Sequence, residues 1–158
     1  MAWLLPEPER EDACNSVLQA AENGELEIVT SALTLTEVIK LKGNPELKKE
    51  HESKIAKFFQ REYIILRNVD RFIAPAAQRL VWDQGLTTKD SIHVATALRW
   101  KIPVLDTFDD GLIALNGKLA LDEGNPASLK LEITTPHVPM RMDLIPEDQI
   151  TSKPDDDS

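Results

Sequence analysis

Five acidic residues of this chain stand where a parallel sheet would bring their carboxylates together. Glu37 begins a predicted helix after a short strand, and Asp90 lies in the first turn of a later helix. The other three follow a buried-strand run at 102–105 and are Asp106, Asp109 and Asp110. Loops after the carboxyl ends of parallel strands line the functional crevice of such folds. Carboxylates gathered there repel one another unless a divalent cation binds between them. Oxygen ligands in a chain with one cysteine and three histidines favour Mg²⁺ or Mn²⁺ over Zn²⁺.

Each of these acids also has a structural explanation. The helix macrodipole favours acids in the first turn, and an Asp in a turn often bonds its own backbone. Three separate positions at one predicted edge nevertheless favour a shared site over coincidence. His93, one helical turn after Asp90, could face the same cleft, although packing or a structural hydrogen bond is the more frequent role. Thr107 either orients a ligand or caps the helix that follows it.

The elements that position these acids alternate between helices and strands. Periodicity and capping residues predict helices over 8–23, from 36 to a break at 43–45, over 45–61, between a cap at 70 and a stop at 85, over 87–100 and around 112–115. Short apolar or β-branched runs predict strands at 26–30, 63–69, 102–105 and 129–133. Strands separated by helices predict an α/β fold, with a parallel sheet between two helical layers. The proline-containing segment 134–150 is expected to run extended along the domain.

Composition and charge narrow the function classes. The chain has 158 residues, enough for one domain, and a formal net charge of -9, which disfavours a protein that merely coats nucleic acid. The stretch from Lys40 to Arg61 is locally basic, and the acidic segment 151–158 is predicted to be disordered. No apolar run reaches the length of a membrane span, and no secretory signal is recognisable, so a cytoplasmic location is expected. Cys14, the single cysteine, excludes an internal disulfide.

At this point the motifs resemble a known family. The run LTTKDSIHVATAL at 86–98, followed by IPVLDTFD at 102–109, is similar to the second half of a PIN domain, the fold of VapC-type toxin ribonucleases. The run SALTLTEV at 31–38 resembles the strand-to-helix segment that carries an acidic residue in that family. The resemblance covers about residues 1–120. We therefore expect a PIN-like domain over 1–120, an extension packed on it over 121–150, and the acidic tail.

The resemblance implies an Mg²⁺- or Mn²⁺-dependent endoribonuclease with RNA as substrate, an antitoxin protein as partner and a homodimeric state. Glu37, Asp90 and Asp109 match the motif acids, the last because Thr107 precedes it by two residues. Asp106 is left as the alternative to Asp109 for the family acid, and Asp106 and Asp110 are flanking candidates for metal ligation.

One departure from the family bears on activity. The first, central strand of PIN domains ends in an Asp, and this sequence starts after the corresponding position, so weak or no turnover is expected. A misassigned or truncated start, a strand supplied by another subunit, and a degenerate domain would each account for this departure. The alternative is a catalytically degenerate PIN-like module that binds a partner through the helices between Thr36 and Arg61. Trp3, Trp82 and Trp100 stand apart in the sequence and are expected in the core or an interface, not in a base-stacking platform.

Overall fold

The structure, a computed structural model, describes residues 8–38 and 52–138. Its elements in chain order are α1 (Pro8–Glu22), β1 (Ile28–Ser31), α2 (Thr34–Glu37), α3 (Glu52–Phe58), β2 (Ile64–Arg67), α4 (Ile73–Gln84), α5 (Thr88–Arg99), β3 (Val104–Asp106), α6 (Asp110–Ile113) and β4 (Glu132–Thr134). Helices and strands alternate along most of this order, as the periodicity predicts.

The strands form two parallel pairs. In the first pair β1 lies beside β2, with Ile28 opposite Ile64 and Ser31 opposite Arg67. In the second pair β3 lies beside β4, with Val104 opposite Glu132 and Asp106 opposite Thr134. Both β1 and β3 pack against α5, and the described residues contain no ladder that joins the two pairs. The prediction of an α/β fold with parallel strands is confirmed.

The core lies where α4 packs against α5. Ile73 of α4 and Val94 of α5 are fully buried there. Leu131 and Ile133, from the segment after residue 120, are also fully buried in the same cluster. The segment that follows the predicted domain boundary therefore supplies β4 and part of this core, while the division of the chain at residue 120 stays a prediction.

Local signals account for the helix ends and for two differences from expectation. Gly85 ends α4 in the left-handed conformation with φ of 67°, which a residue without Cβ adopts at no steric cost. The predicted helix around 112–115 begins at Asp110 instead, because the side chain of Asp109 caps it. The helix expected from Thr36 begins at Thr34, so Glu37 lies at the end of this four-residue, single-turn helix and not at its start.

Several expectations fall outside the described residues. These are the start of the chain with Trp3, the basic run from Lys40 to Lys49, most of the extended segment 134–150, and the tail 151–158. Within the described part of the chain, no helix combines the length and the apolarity that a bilayer span requires.

Candidate active site

A tight connection between β1 and α2 sets the position of Glu37. The hydroxyl of the buried residue Ser31 accepts a hydrogen bond from the Leu33 backbone N–H at 3.1 Å. The hydroxyls of Thr30 and Thr34 lie 2.7 Å apart across the same turn. These short polar side chains bond the backbone locally and favour a turn over a continuing strand. They leave Glu37 at the end of α2, with its side chain 17% exposed.

Both carboxylate oxygens of Glu37 have partners on α5. Oε2 lies 2.8 Å from His93 Nε2, and Oε1 lies 3.2 Å from Lys89 Nζ. Lys89 and His93 are four residues apart, so they share one face of the helix. Burial by itself would raise the pKa of Glu37, but the hydrogen bonds and charges of His93 and Lys89 outweigh it and lower the pKa below the usual 4.5. Glu37 is therefore a carboxylate at neutral pH, and the imidazole donates to it through Nε2.

Asp90 lies in the first turn of α5, next to Lys89 in sequence. The Thr87 hydroxyl accepts from the Asp90 backbone N–H at 3.3 Å and donates to the Asp90 carboxylate. This reciprocal contact satisfies an N–H that has no partner inside the helix. Thr87 therefore caps α5, and Asp90 is the first-turn acid that bonds the capping side chain. Asp90 lies three residues before His93, which contacts Glu37.

The acids that follow β3 have separate local partners. Asp109 accepts from the Leu112 backbone N–H at 2.9 Å and caps α6. Thr107 accepts from the Asp109 backbone N–H at 3.1 Å, so its hydroxyl helps to shape this cap. Asp110 is exposed in the first turn of α6.

Asp106 differs from these acids in its protonation. As a residue it is exposed, but surrounding atoms crowd its carboxyl, and this desolvation raises its pKa to about 6. The charge of His137 lowers the pKa and that of Glu132 raises it, both by less than the desolvation. Asp106 therefore exchanges a proton close to neutral pH.

The predicted cluster of five carboxylates is not assembled in the structure. Over residues 8–38 and 52–138, no group of three or more His, Cys, Asp or Glu side chains could hold a metal ion. Glu37 is engaged by Lys89 and His93, and Asp90 and Asp109 are engaged in helix caps. The described residues in this arrangement therefore do not fit a divalent cation, and the assignment of individual site acids stays a prediction.

The sequence reading missed one residue of this site, Lys89. The signal was present, because Lys89 and His93 are separated by four positions on a strongly predicted helix and so face the same way. Nothing in the local sequence indicated that an acid from a different element would approach that face. The expected structural hydrogen bond of His93 is present, and its acceptor is Glu37.

Comparison with known proteins assigns the fold. A family model described as PIN domain matches residues 1–118, about three quarters of the chain, and the chain belongs to this family. This agrees with the extent of the resemblance in the motifs. No curated protein and no solved structure matches the chain. Membership supports a nuclease-like function, and the matched residues contain the five candidate acids, Glu37, Asp90, Asp106, Asp109 and Asp110.

Proposed function

We propose that this chain is a PIN-type endoribonuclease that cleaves RNA beside the contact between α2 and α5. The observation that carries the proposal is the 2.8 Å contact of Glu37 with His93, two residues that are 56 positions apart. The contact supports the proposal because Glu37 and Asp90, which resemble the motif acids of the family, then lie on adjoining elements. A family match over residues 1–118 supports the nuclease assignment independently.

We also propose Mg²⁺ or Mn²⁺ as the cofactor, on the chemistry of the acids. Glu37 and Asp90 offer hard oxygen donors on adjoining elements, and a hard divalent cation binds such donors. For a metal ion to bind, Lys89 must move away from Glu37. A further oxygen ligand, such as Asp109 or Asp106, must also approach Glu37 and Asp90. Turnover is therefore expected to be slow in the arrangement described above.

The biological setting proposed for this activity is a toxin–antitoxin pair. It rests on the similarity of the motifs at 86–98 and 102–109 to VapC-type toxins. In that setting the chain forms a homodimer and an antitoxin protein blocks access to the site.

A second candidate function is a PIN-like interaction module without nuclease activity. The specific observation in its favour is that protein groups already occupy both oxygens of Glu37: the Lys89 ammonium Nζ lies at 3.2 Å and His93 Nε2 at 2.8 Å. A carboxylate that already has these partners binds a metal ion less tightly than a carboxylate without partners.

Cleavage of labelled single-stranded RNA by the full chain separates the two functions. We expect cleavage with Mn²⁺ or Mg²⁺, none with chelator, and at least about a tenfold loss in Glu37→Gln and in Asp90→Asn. Asp122→Asn is the matched control, because Asp122 is an exposed acid that pairs with Lys101 at 3.0 Å away from α2. Absence of cleavage with every ion favours the interaction module, and equal activity of the wild type and Asp90→Asn contradicts the proposed site.

A further inference from the structure

Arginine and aromatic side chains alternate along one surface of the protein. The guanidinium carbon of Arg67 lies 4.0 Å from the ring centre of Trp100, and that of Arg99 lies 5.7 Å from the same ring. Arg99 also lies 5.8 Å from the ring of Phe72, which Arg71 approaches to 4.9 Å. We call the resulting series Arg67, Trp100, Arg99, Phe72 and Arg71 the arginine–aromatic ladder. It joins three elements, since its members come from β2, from the start of α4 and from the end of α5.

The two rings of the ladder face solvent. Phe72 is 56% exposed and Trp100 is 41% exposed. Trp100 therefore does not lie in the core, which was one of the two places expected for it, and the other, an interface, is not tested. It stands apart from other aromatic residues in the sequence, but in space Arg67 and Arg99 lie over its ring. Large aromatic side chains on a surface are a feature of binding sites more than of inert surface.

The cations of the ladder lack acidic partners in the described part of the chain. Among residues 8–38 and 52–138, the ion pairs involve neither Arg67, Arg71 nor Arg99. Within the same residues, Nε of Arg67 is buried without a hydrogen-bond acceptor. A protein with a net charge of -9 thus presents three guanidinium groups together, and none of them forms an ion pair within the described residues.

One acid, Asp70, lies near the ladder but is committed elsewhere. Its carboxylate accepts from the backbone N–H groups of Phe72 at 2.8 Å and Ile73 at 3.0 Å, where it caps the start of α4. These bonds, followed by the charges of Arg99 and Arg71, lower the pKa of Asp70. Three arginines against one acid leave the surface positive.

We propose that the arginine–aromatic ladder binds single-stranded RNA, with phosphates on its arginines and bases stacked against Phe72 and Trp100. The proposal rests on the proposed function, because it names the path of the same substrate. Single-strand binding sites combine a basic track with aromatic platforms, and guanidinium planes also stack on bases. The alternation of cation and ring in the ladder matches the alternation of phosphate and base along a strand.

The ladder lies at the end of α5 away from Asp90. Arg99 and Asp90 are nine residues apart on α5, which separates them by roughly 14 Å along the helix. Binding at the ladder would increase the affinity for RNA without touching the bond that is cut. RNA is favoured over an acidic protein segment because the bases of RNA are planar and can stack on the two exposed rings.

The test measures binding and not cleavage, so its failure is distinguishable from failure of the nuclease assignment. A fluorescently labelled twelve-residue oligouridine is titrated with the full chain in chelator, and anisotropy is recorded over a range of salt concentrations. In the double variant Arg71→Gln/Arg99→Gln we expect weaker binding and a salt slope about 1.4 smaller, since each phosphate contact contributes about 0.7 for single strands. Phe72→Ser is expected to weaken binding about tenfold, and Trp100→Phe, which keeps a ring, is expected to retain most of the affinity.

Arg61→Gln is the matched control. Arg61 also lies over aromatic rings, 5.3 Å from Phe58 and 5.7 Å from Tyr63, but it pairs with Glu22 at 2.7 Å. Its replacement should leave RNA affinity and the salt slope unchanged. Thermal melts of each variant establish that the fold is retained.

Two results would overturn the proposal. The first is RNA binding by the ladder variants with wild-type affinity, or no binding by the wild type even at low salt. The second is a change of oligomeric state in the ladder variants, measured by light scattering, together with unchanged RNA affinity. That second result would assign the surface to contacts between protein chains.

Discussion

Lys89 lies with its ammonium group 3.2 Å from Oε1 of Glu37, on the carboxylate whose other oxygen is bonded to His93. The side chain of Lys89 is 60% exposed, whereas that of Glu37 is only 17% exposed. The ammonium group therefore lies largely in water, whereas the carboxylate is largely covered by the fold. Lys89 is the counter-ion of Glu37 in this arrangement, and the metal ion proposed above would compete with it.

Removal of this counter-ion should strengthen divalent cation binding. In Lys89→Met we expect Mn²⁺ to bind up to about fivefold more tightly than in the wild type, since a mostly exposed ion pair is worth at most about 1 kcal/mol. Titration calorimetry measures the difference. Lys101→Met, which breaks the exposed pair with Asp122, is the control and should have no effect. Unchanged or weaker Mn²⁺ binding in Lys89→Met would show that Lys89 does not compete with the ion.

Glu37 makes stability depend on pH in the acidic range. Its folded-state pKa is lowered below 4.5, so the stabilisation is present above that pH and is lost as the pH falls through the folded-state value. Urea unfolding at pH 7 should show Glu37→Gln to be less stable than the wild type, by about 1–2 kcal/mol. The difference in the free energy of unfolding between the wild type and Glu37→Gln should become smaller below pH 4.5. Exposed Glu27→Gln serves as the reference, and a gap that persists undiminished into acid would argue against this origin.

Asp106 makes the stability of the fold depend on pH in the opposite direction. Its pKa is raised to about 6, so the charged form is disfavoured in the folded protein. The free-energy cost of holding Asp106 charged in the folded protein is absent below the ordinary Asp pKa near 4. It grows as the pH rises and is complete above about pH 6. We therefore expect Asp106→Asn to raise the melting temperature more at pH 7.5 than at pH 4. Asp110→Asn, a neighbouring exposed acid, is the comparison, and an equal shift at both pH values would contradict the assignment.

The segment after residue 120 should be required for stability. Leu131 is fully buried against α4 and α5, whereas Leu129, two residues earlier, is 74% exposed. Leu131→Ala is expected to lower the free energy of unfolding by about 2–4 kcal/mol. Leu129→Ala is expected to change it by less than about 0.5 kcal/mol. Similar values for the two variants in denaturant unfolding would mean that β4 and its flanks are not part of the cooperative core.

Features that depend on neighbouring residues could be predicted from the sequence. The start of α5 at Thr87 and Thr88, the end of α4 at Gly85 and the parallel α/β class each follow from bonds within a few positions or from the order of elements. Two helices begin two residues earlier than the apolar pattern indicated. At α6 the side chain of Asp109 caps the backbone, and before α2 the Ser31 hydroxyl accepts from the Leu33 backbone N–H in the preceding turn.

The contacts that decide chemistry join residues distant in the chain, and only the tertiary structure decides them. The sequence by itself indicated the PIN family, which the family match over residues 1–118 shows, and it predicts Glu37, Asp90 and Asp109 as the motif acids, because motif spacing is a local property. It did not determine that Lys89 and His93 would take both oxygens of Glu37, or that Arg99 would lie between Phe72 and Trp100. Those neighbours depend on how α2, α4 and α5 pack, and packing free energy is shared among many side chains and is not encoded at any one position.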